Sequence, residues 1–316
     1  LSLCLLASAA LAPLAHAESY PNKPVRVVVH NTPGSALDIV ARRVGARLAD
    51  QWGQPVVVDN RAGAGGVIAT DAVAKAAPDG YTLTVSPASF LTTNKAIFKS
   101  LPYDPEADFA PISRLVNQPM VLVVNNRQKY PTAAAFLAAA KAEPGKITFA
   151  SSGDGSPQHL AGLMFETRTG ARMLHVPYKG GALAVNDTLA GNVDALFAVL
   201  PEALPHIQAG KLHALGLMSP QRSPTLPNVP TMAEAGLADL NLSAWVGLLA
   251  PAKTPKPIID QLNRAVQTAM DAEVKAKLAS SGIEVATSTP EELQRIIAAD
   301  IKLHAELVKA AGLIPQ

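Results

Sequence analysis

The chain has 316 residues, which exceeds one ordinary domain and predicts two. Hydrophobic residues make up 48% of it, enough for sizeable cores, so a disordered protein is excluded. The formal net charge is +2 with scattered Lys and Arg residues, and aromatic residues amount to 4%, so nucleic acid is disfavoured as a partner.

The first residues form an apolar run that ends at Ala15-His16-Ala17, the A-x-A pattern of a signal-peptide cleavage site. We expect residues 1–17 to be a signal peptide, cleaved after Ala17, and the mature chain to be exported. The one cysteine, Cys4, lies in this run. The mature chain would therefore have no thiol to form a disulfide, ligate a metal or act as a nucleophile.

Short β-branched runs then alternate with helical patterns. Val25–Val29 is continuous and β-branched, as expected of a buried parallel strand. The next strands are predicted at Val56–Val58 and Tyr81–Val85, with helices over Leu37–Leu48 and Val67–Ala77. This alternation predicts a mostly parallel sheet covered by helices.

The same rhythm restarts at Met120–Val124 and predicts a second sheet. Its further strands are predicted at Ile147–Ala150, Met173–Val176, Ala195–Ala198 and Ala214–Met218. Capping boxes at Thr231–Glu234 and Thr289–Glu292 indicate helix starts, and long helices are predicted at Pro257–Met270 and Pro290–Ala311.

Two α/β units followed by a helical tail predict two lobes and a chain that crosses between them. The fold class is therefore α/β, with two doubly wound lobes joined by crossing strands. We expect residues 18–117 and 244–316 to form lobe I and residues 118–243 to form lobe II. Ligands of such sheets bind at the carboxyl ends of strands, where helix N-termini converge, so the strand-to-helix turns are the candidate sites.

The first turn, residues 30–38, follows the first strand. Gly34 lets the backbone approach a ligand, Ser35 offers a hydroxyl, and free N–H groups at a helix start favour an anion. An ordinary connection with Ser35 as N-cap explains the same residues equally well. Asp38 has three possible roles. As a carboxylate in the first turn it interacts favourably with the helix dipole, it braces the loop, or it recognises an amine or hydroxyl of the ligand.

The serine turn, residues 151–159, is its counterpart in the second unit. It offers three serine hydroxyls, two glycines and a helix N-terminus, with no Lys or Arg, which suits a bound oxyanion. A flexible capped loop is the alternative. His159 is either a polar wall of the site or a solvent-exposed residue of the first helical turn.

Two further turns are candidate walls: Ser86–Ser89, and Tyr178–Gly180 before the helix near Asn186. The glycine cluster Gly63–Gly66 lacks the phosphate-loop pattern and is interpreted as a tight helix entry. The chain has no G-x-S-x-G elbow and no H-E-x-x-H motif, so we expect no catalytic residue, no metal and no cofactor.

Ordered motifs along the mature chain resemble the substrate-binding proteins of tripartite tricarboxylate transporters, often called the Bug family. They are YPNKP at 20–24, PG at 33–34, DIVAR at 38–42, NRAGAGG at 60–66, PDGYTL at 78–83, LPYD at 101–104, DFAPI at 108–112, VPYKG at 176–180, LPNVPT at 226–231, and Trp245 followed by GLLAP at 247–251. Each piece alone is weak, but the ordered set is specific.

The resemblance implies a type II-like periplasmic binding protein, a "Venus flytrap" that holds a ligand carboxylate between its lobes, partly through waters, and hands it to a membrane permease. Carried onto this chain, together with the candidate turns above, it gives one set of ligand-binding residues. They are Thr32, Pro33, Gly34, Ser35, Ala36, Asp38, Ser86, Ala88, Ser89, Ser151, Ser152, Gly153, Gly155, Ser156, His159, Tyr178, Lys179 and Gly180. The chain departs from the family at Gly34-Ser35, where two glycines are usual, and at Leu37, where Thr or Ser is common. The substrate of a known family member is therefore not assigned to this chain.

The ligand is expected to be a dicarboxylate, an acidic amino acid or an aromatic acid, and the protein a monomer. Besides the transport receptor, two functions remain open. One is a sensor subunit that presents its closed form to a membrane signalling protein, because both roles need the same ligand-driven closure. The other is a secreted hydrolase acting through Ser156.

Overall fold

The computed structural model describes residues 20–31, 33–61, 66–125 and 127–313. The predicted signal peptide and its cleavage site, Thr32, and most of the glycine cluster lie outside these residues. Among the described residues, no helix combines the length and the apolar character needed to cross a bilayer.

The described chain is an alternation of strands and helices. The strands are β1 (Val25–Val29), β2 (Val56–Asn60), β3 (Thr82–Pro87), β4 (Phe109–Val124), β5 (Thr148–Ser151), β6 (Leu174–Pro177), β7 (Ala195–Val199), β8 (His213–Leu217), β9 (Ser243–Pro251) and β10 (Glu284–Val285). The helices are α1 (Ala36–Trp52), α2 (Val67–Ala74), α3 (Ala88–Leu91), α4 (Asn94–Ile97), α5 (Ala133–Ala142), α6 (Pro157–Thr169), α7 (Gly181–Ala190), α8 (Leu200–Gln208), α9 (Lys256–Ala269), α10 (Ala272–Ala279) and α11 (Pro290–Ala310).

The strands follow the order β2-β1-β3-β9-β4-β7-β5-β6, with β8 and β10 also paired to β4. The first half-sheet consists of β1, β2, β3, β9, β10 and residues 109–119 of β4. The second half-sheet consists of β5, β6, β7, β8 and residues 120–124 of β4. Parallel pairing of β1 with β2 and β3, and of β5 with β6 and β7, confirms the predicted α/β units.

Each half-sheet has its own apolar core. In the first, Val27 and Leu83 of the strands pack with Leu48 of α1 and Leu262 of α9. In the second, a cluster of buried aromatic rings fills the space between sheet and helices: Phe136, Phe149, Phe165 and Phe197. The two cores lie on either side of the point where β4 exchanges β9 for β7 and β8 as partners.

The predicted helix caps are confirmed where the sequence pattern was complete. The hydroxyls of Ser35 and Ser156 accept hydrogen bonds from the third residue of α1 and α6, and Pro157 is the first residue of α6. Thr289 and Glu292 form the capping box of α11.

The box at Thr231 forms without a helix. Thr231 donates its N–H to Glu234 Oε2 at 2.8 Å, and Glu234 donates its N–H to Thr231 Oγ1 at 3.1 Å, but the chain makes only turns there. Gly236 follows with a φ of +83° and the chain leaves the helical conformation, so the capping pattern stabilises a turn instead.

The strand predicted at Met120–Val124 is only the end of β4, which is 16 residues long and begins at Phe109. The apolar pattern of β4 is interrupted by Pro111, Asn117 and Pro119, so the sequence does not indicate the first part of the strand. The register with β9 shifts twice, between Pro111 and Ser113 and between Arg114 and Val116, and such irregularities let a strand accept prolines.

Candidate functional site

A cavity of about 460 Å³ lies between the two half-sheets. Ala88 and Ser89 line it from the end of β3, and Ser152 and Glu202 line it from the turns after β5 and β7. Its remaining lining residues include Gln118 of β4 and Trp245 of β9. The cavity is therefore at the carboxyl ends of parallel strands, which is where open α/β sheets bind ligands.

Another cavity, of about 600 Å³, is lined by Asn117, Met218, Arg222, Ser243 and Glu284, among others. None of the predicted site residues that the structure describes lines it. Because no turn from a strand to a helix opens into this outer cavity, the cavity between the half-sheets is the candidate site.

The serine turn brings three of its predicted residues to the cavity: Ser152, Gly155 and Ser156. The Ser152 hydroxyl donates to Gln158 Oε1 at 2.8 Å, and the Ser156 hydroxyl accepts the His159 N–H at 3.3 Å. Gly155 has a φ of +71°, and a Cβ on it would lie 2.6 Å from Ile97 Cδ1. The positive φ therefore favours glycine, and a side chain here would also displace the end of Ile97 where the turn meets α4.

Ser151, Gly153 and His159 do not line the cavity. The Ser151 hydroxyl is buried and lies 2.7 Å from Nε2 of His175, and it also accepts the Gly153 N–H at 3.1 Å. His159 is 2% exposed, so it is neither a wall of the cavity nor a solvent-exposed residue of the helix. Its ring is stacked on that of His175, with centroids 3.8 Å apart and planes 7° apart.

A hydrogen bond within the serine turn fixes the protonation of His159 at Nδ1. Nδ1 of His159 accepts the Gly155 N–H at 3.1 Å, which requires that nitrogen to be unprotonated. Burial, assisted by the neighbouring His175, lowers the pKa of His159 to about 4, although Asp154 opposes the shift. Burial also lowers the pKa of His175.

Asp154, His159 and His175 place possible metal ligands within 4.8 Å of one another. The lone pair of an imidazole lies in the plane of its ring, so two parallel rings 3.8 Å apart cannot both point at one ion. Nδ1 of His159 is moreover occupied by the Gly155 N–H. The geometry is that of a stacked pair supporting the serine turn.

The first turn is closed on itself. The Asp38 carboxylate is buried and accepts hydrogen bonds from the Gly34 N–H (2.9 Å), Arg42 Nε (2.9 Å) and Asn60 Nδ2 (3.0 Å). Burial alone would raise the pKa of Asp38, but these donors outweigh it and hold the pKa below its usual value. Of the three roles open to Asp38, the geometry favours bracing of the loop.

No other described residue predicted in the first turn lines the cavity: Pro33, Gly34, Ser35 and Ala36 do not. Asn31, just before them, does. Thr32 lies outside the described residues.

Each of the two predicted walls has residues that line the cavity and residues that do not. Ala88, Ser89 and Gly180 line the cavity, whereas Ser86 is buried and donates its hydroxyl to the Pro87 carbonyl at 3.2 Å. The Tyr178 hydroxyl donates to Asp187 Oδ2 at 2.6 Å. Lys179 is exposed and is not a lining residue.

Sequence reasoning missed the turn after β7. Glu202, in the first turn of α8, lines the cavity and accepts a hydrogen bond from Gln158 Nε2 at 3.1 Å. The signal was available, since an acidic residue and Pro201 directly follow a buried strand. The lining residues that the structure describes include Asp154 and Glu202 but no Lys, Arg or His, so neutral donors and helix N-termini are what they offer an anion.

The family model for the Tripartite tricarboxylate transporter family receptor matches residues 40–313. The chain is 40% identical over 309 residues to Protein BugT of Bordetella pertussis, covering 97% of this chain and 95% of that protein.

Solved structures resemble the whole chain. R. palustris Rpa4515 with adipate is 33% identical with a TM-score of 0.84, covering 94% of this chain and 100% of that one. MatC (Rpa3494) from Rhodopseudomonas palustris with bound malate is 33% identical with a TM-score of 0.78, covering 92% and 100%. The periplasmic binding protein BugD is 35% identical with a TM-score of 0.80, covering 94% and 100%. These relatives have the two-lobed fold of periplasmic binding proteins, which confirms the predicted fold class.

Proposed function

The chain belongs to the family of tripartite tricarboxylate transporter receptors, and we propose that it binds a small carboxylate-bearing metabolite in the cavity between its lobes for uptake by the permease of such a transporter. One observation carries the ligand class: small hydroxyl-bearing turns from both half-sheets converge on one cavity of about 460 Å³. The adipate and malate held by two related proteins support the same class.

In this proposal the lobes are residues 18–117 with 244–316, and residues 118–243. The carboxylate is bound by Ser89 from one lobe and by the Ser152–Ser156 turn from the other, with Ala88 and Gly180 as walls. Asn31, directly before the first turn, contributes to the lining. Closure of the lobes excludes water, which strengthens neutral hydrogen bonds to an anion.

The receptor would act in the periplasm after removal of residues 1–17, as a monomer and without catalysis. Ser156 is used as the N-cap of α6, and His159 is bonded to Gly155 rather than to a nucleophile, so neither is arranged for hydrolysis. A sensor role uses the same binding step and differs only in the membrane partner.

The test is a calorimetric and thermal-shift screen of mono-, di-, amino and aromatic carboxylic acids on the mature protein. A ligand at a thousand times its Kd stabilises the fold by about 4 kcal/mol, which gives a clear rise in Tm. Ser89→Phe should fill the cavity and abolish the shift, while Ser280→Phe, on an exposed helix end, is the matched control. A hit that survives Ser89→Phe would contradict binding in this cavity, and the absence of any hit would contradict the carboxylate class.

A further inference from the structure

Glu202 is the one acidic side chain of the cavity that is held in place by a directed chain of hydrogen bonds. The Ser152 hydroxyl donates to Gln158 Oε1 at 2.8 Å, and Gln158 Nε2 donates to Glu202 Oε2 at 3.1 Å. Gln158 is itself buried, so the orientation of its amide is fixed. The serine turn therefore positions a carboxylate on α8.

The other oxygen of this carboxylate, Oε1, accepts no hydrogen bond from any described residue, and Glu202 forms no ion pair within that part of the chain. The side chain is exposed on the side of the open cavity. A negative charge that is paired with no cation of the described chain attracts a positively charged group of a ligand bound in that cavity.

The fold leaves a space for this carboxylate. A Cβ on Gly181 would lie 2.4 and 2.5 Å from the two Glu202 oxygens, so no other residue fits at position 181 while Glu202 keeps its place. Gly181 is the first residue of α7, where the helix dipole favours an anion. The Glu202 carboxylate therefore lies against the N-terminus of α7, and the carboxylate of the ligand is expected at the other donors of the cavity.

The charges of the cavity point the same way. Within the described part of the chain, its lining includes two acids, Asp154 and Glu202, and no Lys, Arg or His. A dicarboxylate would bring two further negative charges toward these acids with no side-chain cation to balance them. A ligand with one carboxylate and one ammonium group would place its anion on the neutral donors and its cation on Glu202.

We propose that the preferred ligand is a small amino acid whose ammonium group is bound by Glu202 while its carboxylate is held by the hydroxyl and backbone donors of the cavity. This inference rests on the proposed carboxylate-receptor function and narrows it. Glu202 is then the residue that distinguishes amino acids from diacids of the same length.

Three matched pairs of probes test it, each with the same number of methylene groups between its two ends. They are succinate with 3-aminopropanoate, glutarate with 4-aminobutanoate, and adipate with 5-aminopentanoate. Calorimetry should show tighter binding of the amino acid in the best-fitting pair. Glu202→Gln keeps an oxygen to accept the Gln158 hydrogen bond but removes the charge, and should weaken the amino acid by about ten- to a hundredfold while leaving the diacid unchanged or tighter.

Glu143→Gln is the matched control, because Glu143 is an exposed residue at the end of α5 that pairs with Lys146 at 3.3 Å outside the cavity. It should leave all six affinities unchanged. If Glu202→Gln does not fold, as judged by the Tm of the ligand-free protein, Glu202→Asp is used instead; it keeps the charge, withdraws it by one methylene, and should lower amino acid affinity while preserving the preference.

Tighter binding of a diacid than of its matched amino acid by the wild-type protein would overturn the inference. So would an unchanged amino acid affinity in Glu202→Gln, and so would failure of all six probes together with every amino acid of the wider screen. Binding of another diacid or an aromatic acid alone in the wider screen would overturn the inference while leaving the proposed function in place. No binding of any carboxylic acid would contradict both.

Discussion

The first turn and the serine turn are nearly equivalent in sequence, since each offers glycine, serine and a helix N-terminus after a buried strand. In the structure they differ in where their donors point. In the first turn the Asp38 carboxylate accepts the Gly34 N–H, and it also accepts hydrogen bonds from Arg42 and Asn60. The serine turn is supported from below by the stacked histidines, and its Ser152 and Ser156 reach the cavity.

The difference teaches that richness in donors does not by itself make a ligand site. A turn that contains its own buried carboxylate uses its donors internally, as the Gly34 N–H does on Asp38. In the serine turn the Ser152 O–H and the Gly155 N–H are also bonded within the fold, but the Ser156 hydroxyl accepts the His159 N–H and can still donate its own O–H to a ligand. Substitutions matched between the two turns test this difference.

The largest effect is expected from the paired variants Gly155→Ala and Gly34→Ala. Both glycines have positive φ, +71° and +82°, so both variants carry the same backbone strain. Only at position 155 does the new Cβ meet a neighbour, 2.6 Å from Ile97 Cδ1, whereas position 34 has nothing within 4 Å. Gly155→Ala should lower the free energy of unfolding by about 3 kcal/mol and weaken ligand binding, and Gly34→Ala by about 1 kcal/mol with little change in affinity. Urea titration and calorimetry measure both, and equal losses would contradict the cross-cavity role of Gly155.

The pH dependence of stability should reveal the neutral histidine below the serine turn. The pKa of His159 is about 4 in the folded protein against 6.5 for the free side chain, so the unfolded state binds a proton first as pH falls. Its contribution is intact above pH 6.5 and is lost progressively between about pH 6.5 and 4, up to about 3 kcal/mol. His175 and Asp154 face it, and Asp154 reduces the effect.

His159→Asn keeps an acceptor for the Gly155 N–H and removes the titration. Its free energy of unfolding should therefore fall less steeply than that of the wild type over this pH range in parallel urea titrations. Identical slopes would mean that His159 is already charged in the folded protein.

A smaller loss is expected from Asp38→Asn in the first turn. The substitution removes the charge that pairs with Arg42 and leaves an amide N–H group beside the donors of Gly34 and Asn60. We expect a loss of about 2 kcal/mol in the free energy of unfolding, with ligand affinity within about threefold of the wild type. A large loss of affinity at unchanged stability would instead assign Asp38 to the ligand.

The smallest effect is expected from Lys179→Ala, beside the cavity wall at Gly180. The side chain is exposed and does not line the cavity. Stability should change by less than about 0.5 kcal/mol, and affinity measured by calorimetry should stay within about twofold. A tenfold loss would place the ammonium group of Lys179 on the ligand in the closed form.

The sequence predicted what depends on local pattern. Continuous β-branched residues predicted β1, and the caps at Ser35, Ser156 and Thr289 follow from the side chains next to them. The start of β4 was not predictable from periodicity, because two prolines and several polar residues break the pattern and pairing with β9 compensates.

The orientation of the candidate site residues depends on partners that are distant in the sequence. Asn60 donates a hydrogen bond to Asp38, and the His175 ring stacks on His159. No sequence pattern near either residue predicts these pairs. The Tyr178 hydroxyl likewise donates to Asp187, which lies in the second turn of α7. The positions of the turns could therefore be predicted from the sequence. Whether a donor in a turn faces the cavity or bonds within the fold could not be predicted.

The most direct measurement of the central claim is a crystal structure of the mature protein with the tightest-binding acid of the screen. The account predicts a carboxylate within hydrogen-bond distance of the Ser152–Ser156 turn and Ser89, inside the cavity between the half-sheets. Density for the acid against Gly34 and Asp38 alone, or in the outer cavity beside Arg222, would contradict it.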